Sequence, residues 1–180
     1  MTAADDILDR AADAALALAA DKAWPNVSLR DIAAKAEVPF PDLYAAASSK
    51  ADVLSHLSCR FDRAALGVDY PESSAAHDRL FDAAMARLEA MEPHRAALIA
   101  IAKAEGPLIV LARLPRTARA ILEAAGVEAT APRLAAMTAV WARVVQVWRD
   151  DEGALNRTMA ELDKRLKQMA EQLGKIGAGF

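Results

Sequence analysis

Apolar residues recur at three- and four-residue steps along most of the chain, the spacing that gathers them on one face of a helix. In AADDILDRAADAALALAADKAW, Ile7, Leu8, Ala11, Ala15, Leu16 and Leu18 form such a stripe, and Pro25 and Asn26 end it. Ser28, with Asp31 three residues on, has capping-box form and predicts a short helix from about Leu29 to Ala36. The stretch EVPFP, residues 37–41, reads as a turn confined by two prolines. A third helix of about two turns should start near Pro41 or Asp42 and carry Leu43 and Tyr44. Ser49 and Asp52 repeat the capping form ahead of KADVLSHLSCRFDRAAL, a longer fourth helix, and Gly67 and Pro71 close this first region.

Beyond it the periodic segments lengthen. Helices are expected over 73–92, 94–105, 107–125 with an interruption at Pro115, 132–150 and 154–173. In the last of these, Leu155, Met159, Leu162, Leu166, Met169 and Leu173 make nearly a heptad seam. Asp150, Asp151 and Glu152 before Gly153 read as a solvated turn, and the tail GKIGAGF, with three glycines in seven residues, as frayed. The pattern predicts an all-α chain of about nine helices, divided into residues 1–66 and 67–180.

Composition agrees: 54% of the 180 residues are apolar but only 5% aromatic, so the apolar content is mainly alanine and leucine, which favour helix. The longest apolar runs, such as LIVLA at 108–112, are far shorter than the ~20 residues that cross a bilayer. No membrane insertion is expected, and the acidic start MTAADD lacks the basic region of a signal peptide, which points to the cytoplasm. The net charge of -3 gives no overall attraction to phosphate, so any nucleic-acid affinity must be local. Cys59 stands alone, and His56, His77 and His94 lie too far apart to form a ligand set, so no metal site is expected. Neither a glycine-rich phosphate loop nor a nucleophile beside a base is evident, and the reading is of a protein that is not an enzyme and takes no cofactor.

The order of the first four helices and the residues Leu29, Ile32, Ala33, Ala36, Val38, Leu43, Tyr44, Ser49, Lys50 and Val53 resemble the N-terminal signature of the TetR family of transcriptional regulators, x-IAxxAGVSxxxLYxxFxSKxxL. The resemblance covers residues 3–66. It implies a three-helix helix-turn-helix head for DNA binding over 1–66, on a C-terminal antiparallel bundle over 67–180 that binds an effector and dimerises. It also implies a homodimer on a palindromic DNA operator, with Ser28, Arg30, Phe40, Asp42, Tyr44 and Lys50 facing DNA. The chain departs from the signature in four ways. Glu37 stands at the turn glycine, Asp42 where a small hydroxyl faces phosphate, Ala45 and Ala46 where polar or basic residues follow the tyrosine, and Ala47 in place of the locking aromatic. Glu37 either adopts a strained left-handed turn or the turn is rebuilt around Pro39 and Pro41. Over residues 1–66 acids also outnumber the seven lysines and arginines, so DNA binding should be weak or strongly salt-dependent.

The segments HDRLFDAAMARLEAMEPHRAAL and VWARVVQVWRDDEGALNRTMAELDKRL resemble a TetR subgroup similar to the TetR-fold accessory protein of ubiquinone biosynthesis, which holds an isoprenoid lipid. The resemblance implies a small hydrophobic effector, with Phe81, Met85, Leu88, Leu108, Leu111, Met137, Trp141 and Trp148 as candidate ligand-binding walls. Met137, Trp141, Val144, Val145 and Trp148 cover more of one helix than a single core stripe requires, which suits a dimer core. The family forms its dimer through the last two helices, and the 155–173 seam would suit that contact. The function implied is a TetR-type regulator whose operator affinity responds to the effector; the alternative is a DNA-silent TetR-fold protein that binds a lipid or quinone precursor.

Overall fold

The computed structural model describes residues 2–71, 73–151 and 155–180, and among them every regular element is helical. In order they are α1 (Ala3–Asp21), a 3-10 turn (Trp24–Asn26), α2 (Leu29–Lys35), α3 (Phe40–Ala46), α4 (Lys50–Leu66), α5 (Ala76–Met91), a second 3-10 turn (Glu92–His94), α6 (Arg95–Glu105), α7 (Pro107–Ala124), α8 (Ala131–Arg149) and α9 (Asn156–Lys175). The all-α class and the count of nine α-helices agree with the periodicity. The chain forms two compact units, one of Met1–Arg60 with Met91–Pro107, the other of Phe61–Ala90 with Leu108–Phe180.

In the first unit α1 packs against α2, α3 and α6. It can do so closely because Ala11, Ala12, Ala14, Ala15 and Ala19 are all buried and small. Ile32, Ala33, Val38 and Leu43 are buried as well, so the residues that match the family signature are largely the ones that close this core. Polar ties hold α4 to α1: His56 Nε2 lies 2.7 Å from Asp9 Oδ1, and Arg60 Nη2 lies 2.7 Å from Asp13 Oδ1.

The second unit is built on the antiparallel pair α8 and α9. Met137, Trp141, Val144 and Trp148 of α8 and Leu162, Leu166, Met169 and Leu173 of α9 are each no more than 3% exposed within the single chain. These eight side chains are therefore packed within the protomer itself, at about 1.5–3 kcal/mol of burial free energy per large side chain, and are corrected as dimer-core candidates, while Val145 of α8 and Leu155 and Met159 of the seam stay half-exposed. Arg87 of α5 joins this core at 5% exposure. Its Nε donates to Asp62 Oδ1 at 2.8 Å, and its guanidinium lies 5.1 Å from the centre of the Trp141 ring. A charge so deeply placed is tolerated only when paired and hydrogen-bonded.

Three local expectations are corrected. Helix α7 runs through Pro115 without interruption. The ring removes one N–H, but Pro115 and Leu111, whose carbonyl loses its partner, lie on the exposed side, where water can replace the bond. Asp151 is not solvated: it is 5% exposed and its Oδ2 accepts from the Thr158 N–H at 2.9 Å and the Thr158 hydroxyl at 2.7 Å, capping the start of α9. Glu152 and Gly153 of that expected turn, and the predicted start of the last helix at 154, lie outside the described residues. The tail does not fray at once: Arg133 of α8 donates to the carbonyls of Ala178 at 3.0 Å and Gly179 at 2.6 Å.

Candidate functional site

The site begins with the two capping boxes that fix where α2 and α4 start. Ser28 Oγ accepts from the Asp31 N–H at 3.1 Å while Asp31 Oδ2 accepts from the Ser28 N–H at 2.8 Å. Ser49 and Asp52 repeat the exchange at 3.2 and 2.9 Å. The hydrogen bonds hold both carboxyls below the usual carboxylate range, chiefly through the Ser28 backbone for Asp31 and the Ser49 hydroxyl for Asp52.

Between them, Glu37 resolves the turn. It takes a left-handed conformation, φ 54°, and with Leu155 is one of the two non-glycine residues with positive φ among those described. The Val38 N–H bonds to the Ala33 carbonyl at 3.0 Å and the Glu37 N–H to the Ala34 carbonyl at 3.2 Å, the Schellman pattern that ends a helix. Of the two turns that the sequence allowed, the left-handed one forms. Arg10 of α1 supports it, donating through Nη2 to the carbonyls of Ala36 at 2.5 Å and Glu37 at 2.8 Å. Sequence reasoning did not single out Arg10. A non-glycine residue at a position that favours glycine is the signal that some such clamp is needed.

Helix α3 starts at Phe40, slightly earlier than expected, because Pro41 at the second helical position needs no N–H partner there. Leu43 is fully buried, and Pro41, Asp42, Tyr44 and Ala45 are exposed. At 100° per residue these four occupy one arc centred opposite Leu43. Arg30 of α2 is exposed and its guanidinium sits 4.1 Å from the centre of the Phe40 ring, while Phe40 and Tyr44 pair at 5.9 Å. Arg30, Phe40 and Tyr44 are thus brought together at the edge of the α3 face, the cation held over an aromatic ring by about 0.5–1 kcal/mol. Ser28 is exposed beside them in sequence, with its hydroxyl engaged in the cap.

Lys50 is placed differently. Its Nζ donates to the carbonyls of Val27 at 2.6 Å and Trp24 at 3.1 Å and lies 4.6 Å from the centre of the Trp24 ring. It is a half-buried strut that closes the turn before α2, with one ammonium hydrogen left for a further acceptor. Trp24, at 4% exposure, is the part of this arrangement that the motif did not indicate.

The candidate ligand walls divide. Met85, Leu88, Met137, Trp141 and Trp148 are buried in the second unit and Phe81 is half-buried, whereas Leu108 and Leu111 at the start of α7 are 81% and 54% exposed and do not join that buried set. A cavity of about 120 Å³ in the same unit is lined by Ala136, Ala139 and Val140 of α8 with Arg165, Gln168, Met169 and Gln172 of α9, and shares no residue with the candidate walls. In the first unit a cavity of about 430 Å³ lies between α1 and α6, lined by apolar residues together with Asp13 and His94.

Residues 12–57, which hold most of α1 and all of α2 and α3, match the family described as bacterial regulatory proteins, tetR family. No curated protein matches the chain. Among solved structures, the TetR transcriptional regulator from Nitrosomonas europaea ATCC 19718 is similar at 22% identity and a TM-score of 0.74, over 91% of this chain and 98% of that one. A TetR transcriptional regulator from Rhodococcus sp. RHA1 is similar at 19% identity and a TM-score of 0.65, over 89% of this chain and 93% of that one. At these identities the likeness is one of fold. Over residues 12–57 the chain is thus similar to the tetR family of bacterial regulatory proteins, and over about nine-tenths of its length its fold is that of solved TetR transcriptional regulators.

Proposed function

We propose that this protein is a DNA-binding homodimer that works in the cytoplasm on a palindromic operator, binds without catalysing a reaction, and has its operator affinity modulated by a small hydrophobic effector. The observation that carries the reading is the α3 face: an exposed arc opposite the buried Leu43, with Arg30 and Tyr44 at its edge, in a head that matches the tetR family. Such a helix can enter a major groove while Ser28, Arg30 and the remaining donor of Lys50 face phosphates, which set register and supply the salt-dependent part of the affinity. The twin protomer would pack on the outer face of α8 and α9. There the inner seams are already filled, and Ala136, Ala139, Gln168 and Gln172 surround a shallow recess beside the Arg143, Glu161 and Arg165 ion pairs. The effector would act through the buried group of Met85, Leu88, Met137, Trp141 and Trp148, with Phe81, Leu108 and Leu111 closing over it. It would shift the dimer between two states only by the ratio of its affinities for them.

The test is anisotropy of a labelled operator duplex with wild type and Arg30→Ala. Loss of one phosphate contact per protomer should weaken binding about ten-fold or more and lower the salt slope by about 2. Arg30 is exposed and gives up only its contact with Phe40, so the variant should melt within about 4 °C of the wild type and stay folded in the assay; unchanged affinity and slope would contradict the reading.

A further inference from the structure

Helices α1, α2, α3 and α4 each carry an aspartate at the third helical position: Asp5, Asp31, Asp42 and Asp52. Three of these carboxylates are used locally, accepting the N–H of Thr2 at 2.9 Å, of Ser28 at 2.8 Å and of Ser49 at 2.9 Å. Asp42 is not. The residue before its helix is Pro39, which has neither a hydroxyl to offer nor an N–H to donate, and no side-chain cap forms there. Asp42 is exposed at the edge of the α3 arc, and among the described residues nothing engages its carboxylate. It is also the only charged residue of α3.

An ionised carboxylate accepts hydrogen bonds and donates none. In the major groove guanine presents two acceptors and thymine an acceptor and a methyl group. Adenine presents an amino donor beside the N7 acceptor, and cytosine the N4 amino donor. A carboxylate on the reading helix is therefore repelled by phosphates on every sequence and by acceptors on three of the four bases, and cytosine alone offers a donor with no acceptor of its own beside it. We infer that Asp42 is a specificity-determining residue that selects a cytosine, through its exocyclic amino group, at one position of each half-site. The inference rests on the DNA-binding reading above.

The experiment is enrichment of bound duplexes from a randomised library by the full-length protein and by Asp42→Ala and Asp42→Asn, at low salt. The wild type should enrich a two-fold symmetric motif with about a ten-fold preference for cytosine at one column of each half-site. The alanine variant should keep every other column and lose that preference, binding the same sites at least as tightly once a negative charge is gone. The asparagine variant should move the column toward adenine, whose N6 and N7 suit a carboxamide. Identical motifs from all three proteins would overturn the inference and leave the DNA reading intact. A motif from the alanine variant alone would also overturn it, since Asp42 would then exclude DNA instead of selecting a base. No motif from any of the three would overturn the inference together with the reading it rests on.

Discussion

A glutamate at a left-handed corner is tolerated here because the corner is held from outside. A non-glycine residue in this region costs about 1–2 kcal/mol, and glycine would give back about 0.5–1 kcal/mol of that relief through the greater freedom of its unfolded chain. Glu37→Gly should therefore raise stability by about 0.5–1 kcal/mol. Arg10→Ala, which strips two carbonyls of their charged donor, should lower it by about 1–3 kcal/mol. Urea midpoints measure both changes, and a destabilised glycine variant or a neutral alanine variant would refute the account of the turn. The choice at Glu37 could not be made from the chain alone, because the clamp arrives from 26 residues away in sequence. Lys50 shows the same limit in the other direction. The resemblance implied that it faces DNA, while Trp24 and Val27 draw its ammonium into the protein, so charge reversal there would disturb the fold and any DNA contact together.

At the scale of elements, boundaries with polar signatures were legible and boundaries made by distant side chains were not. The capping boxes at Ser28 and Ser49 stand where the spacing placed them. By contrast α2, α7 and α9 all end in Schellman turns, at Glu37, Gly126 and Gly177, and in each an arginine from another helix donates to a carbonyl of the turn: Arg10, Arg79 and Arg133. Glycine marks two of these ends in the sequence, but nothing local marks the arginines. The caps also carry a pH dependence. Asp31 and Asp52 have lowered folded pKa values, so the stability they add is fully present above the unfolded carboxylate value and is lost as the pH falls through the folded one. Thermal melts should change little on their account above about pH 5 and fall below about pH 4. The double variant Asp31→Asn, Asp52→Asn should start lower at neutral pH and decline less in acid; parallel curves would contradict the assignment.

For the whole molecule, the apolar periodicity disclosed nine helices but not which apolar faces meet inside one chain. The α9 seam looked like a surface for a twin, and from Leu162 to Leu173 it is the floor of the protomer's own core. Helix period fixes which residues share a face and leaves open whether the partner face belongs to the same chain. The head's resemblance to TetR regulators was legible because its packing residues are largely the signature itself, while the electrostatics of the exposed α3 face depend on which charges are already spoken for. Asp31 and Asp52 are engaged in caps, Asp62 is paired with Arg87, and Lys50 is drawn inward with one donor left, so Arg30 and that donor are the cationic groups left for a phosphate beside α3. On the proposed DNA-binding reading, this sparse set suffices for a dimer to bind its operator. The most direct measurement is anisotropy of the duplex upstream of the protein's own gene against a scrambled duplex over a range of salt. Specific binding is expected with a log–log salt slope of about -3 to -4, the release due to two cations per protomer. Equal affinity for both duplexes, or no binding at low salt, would contradict it.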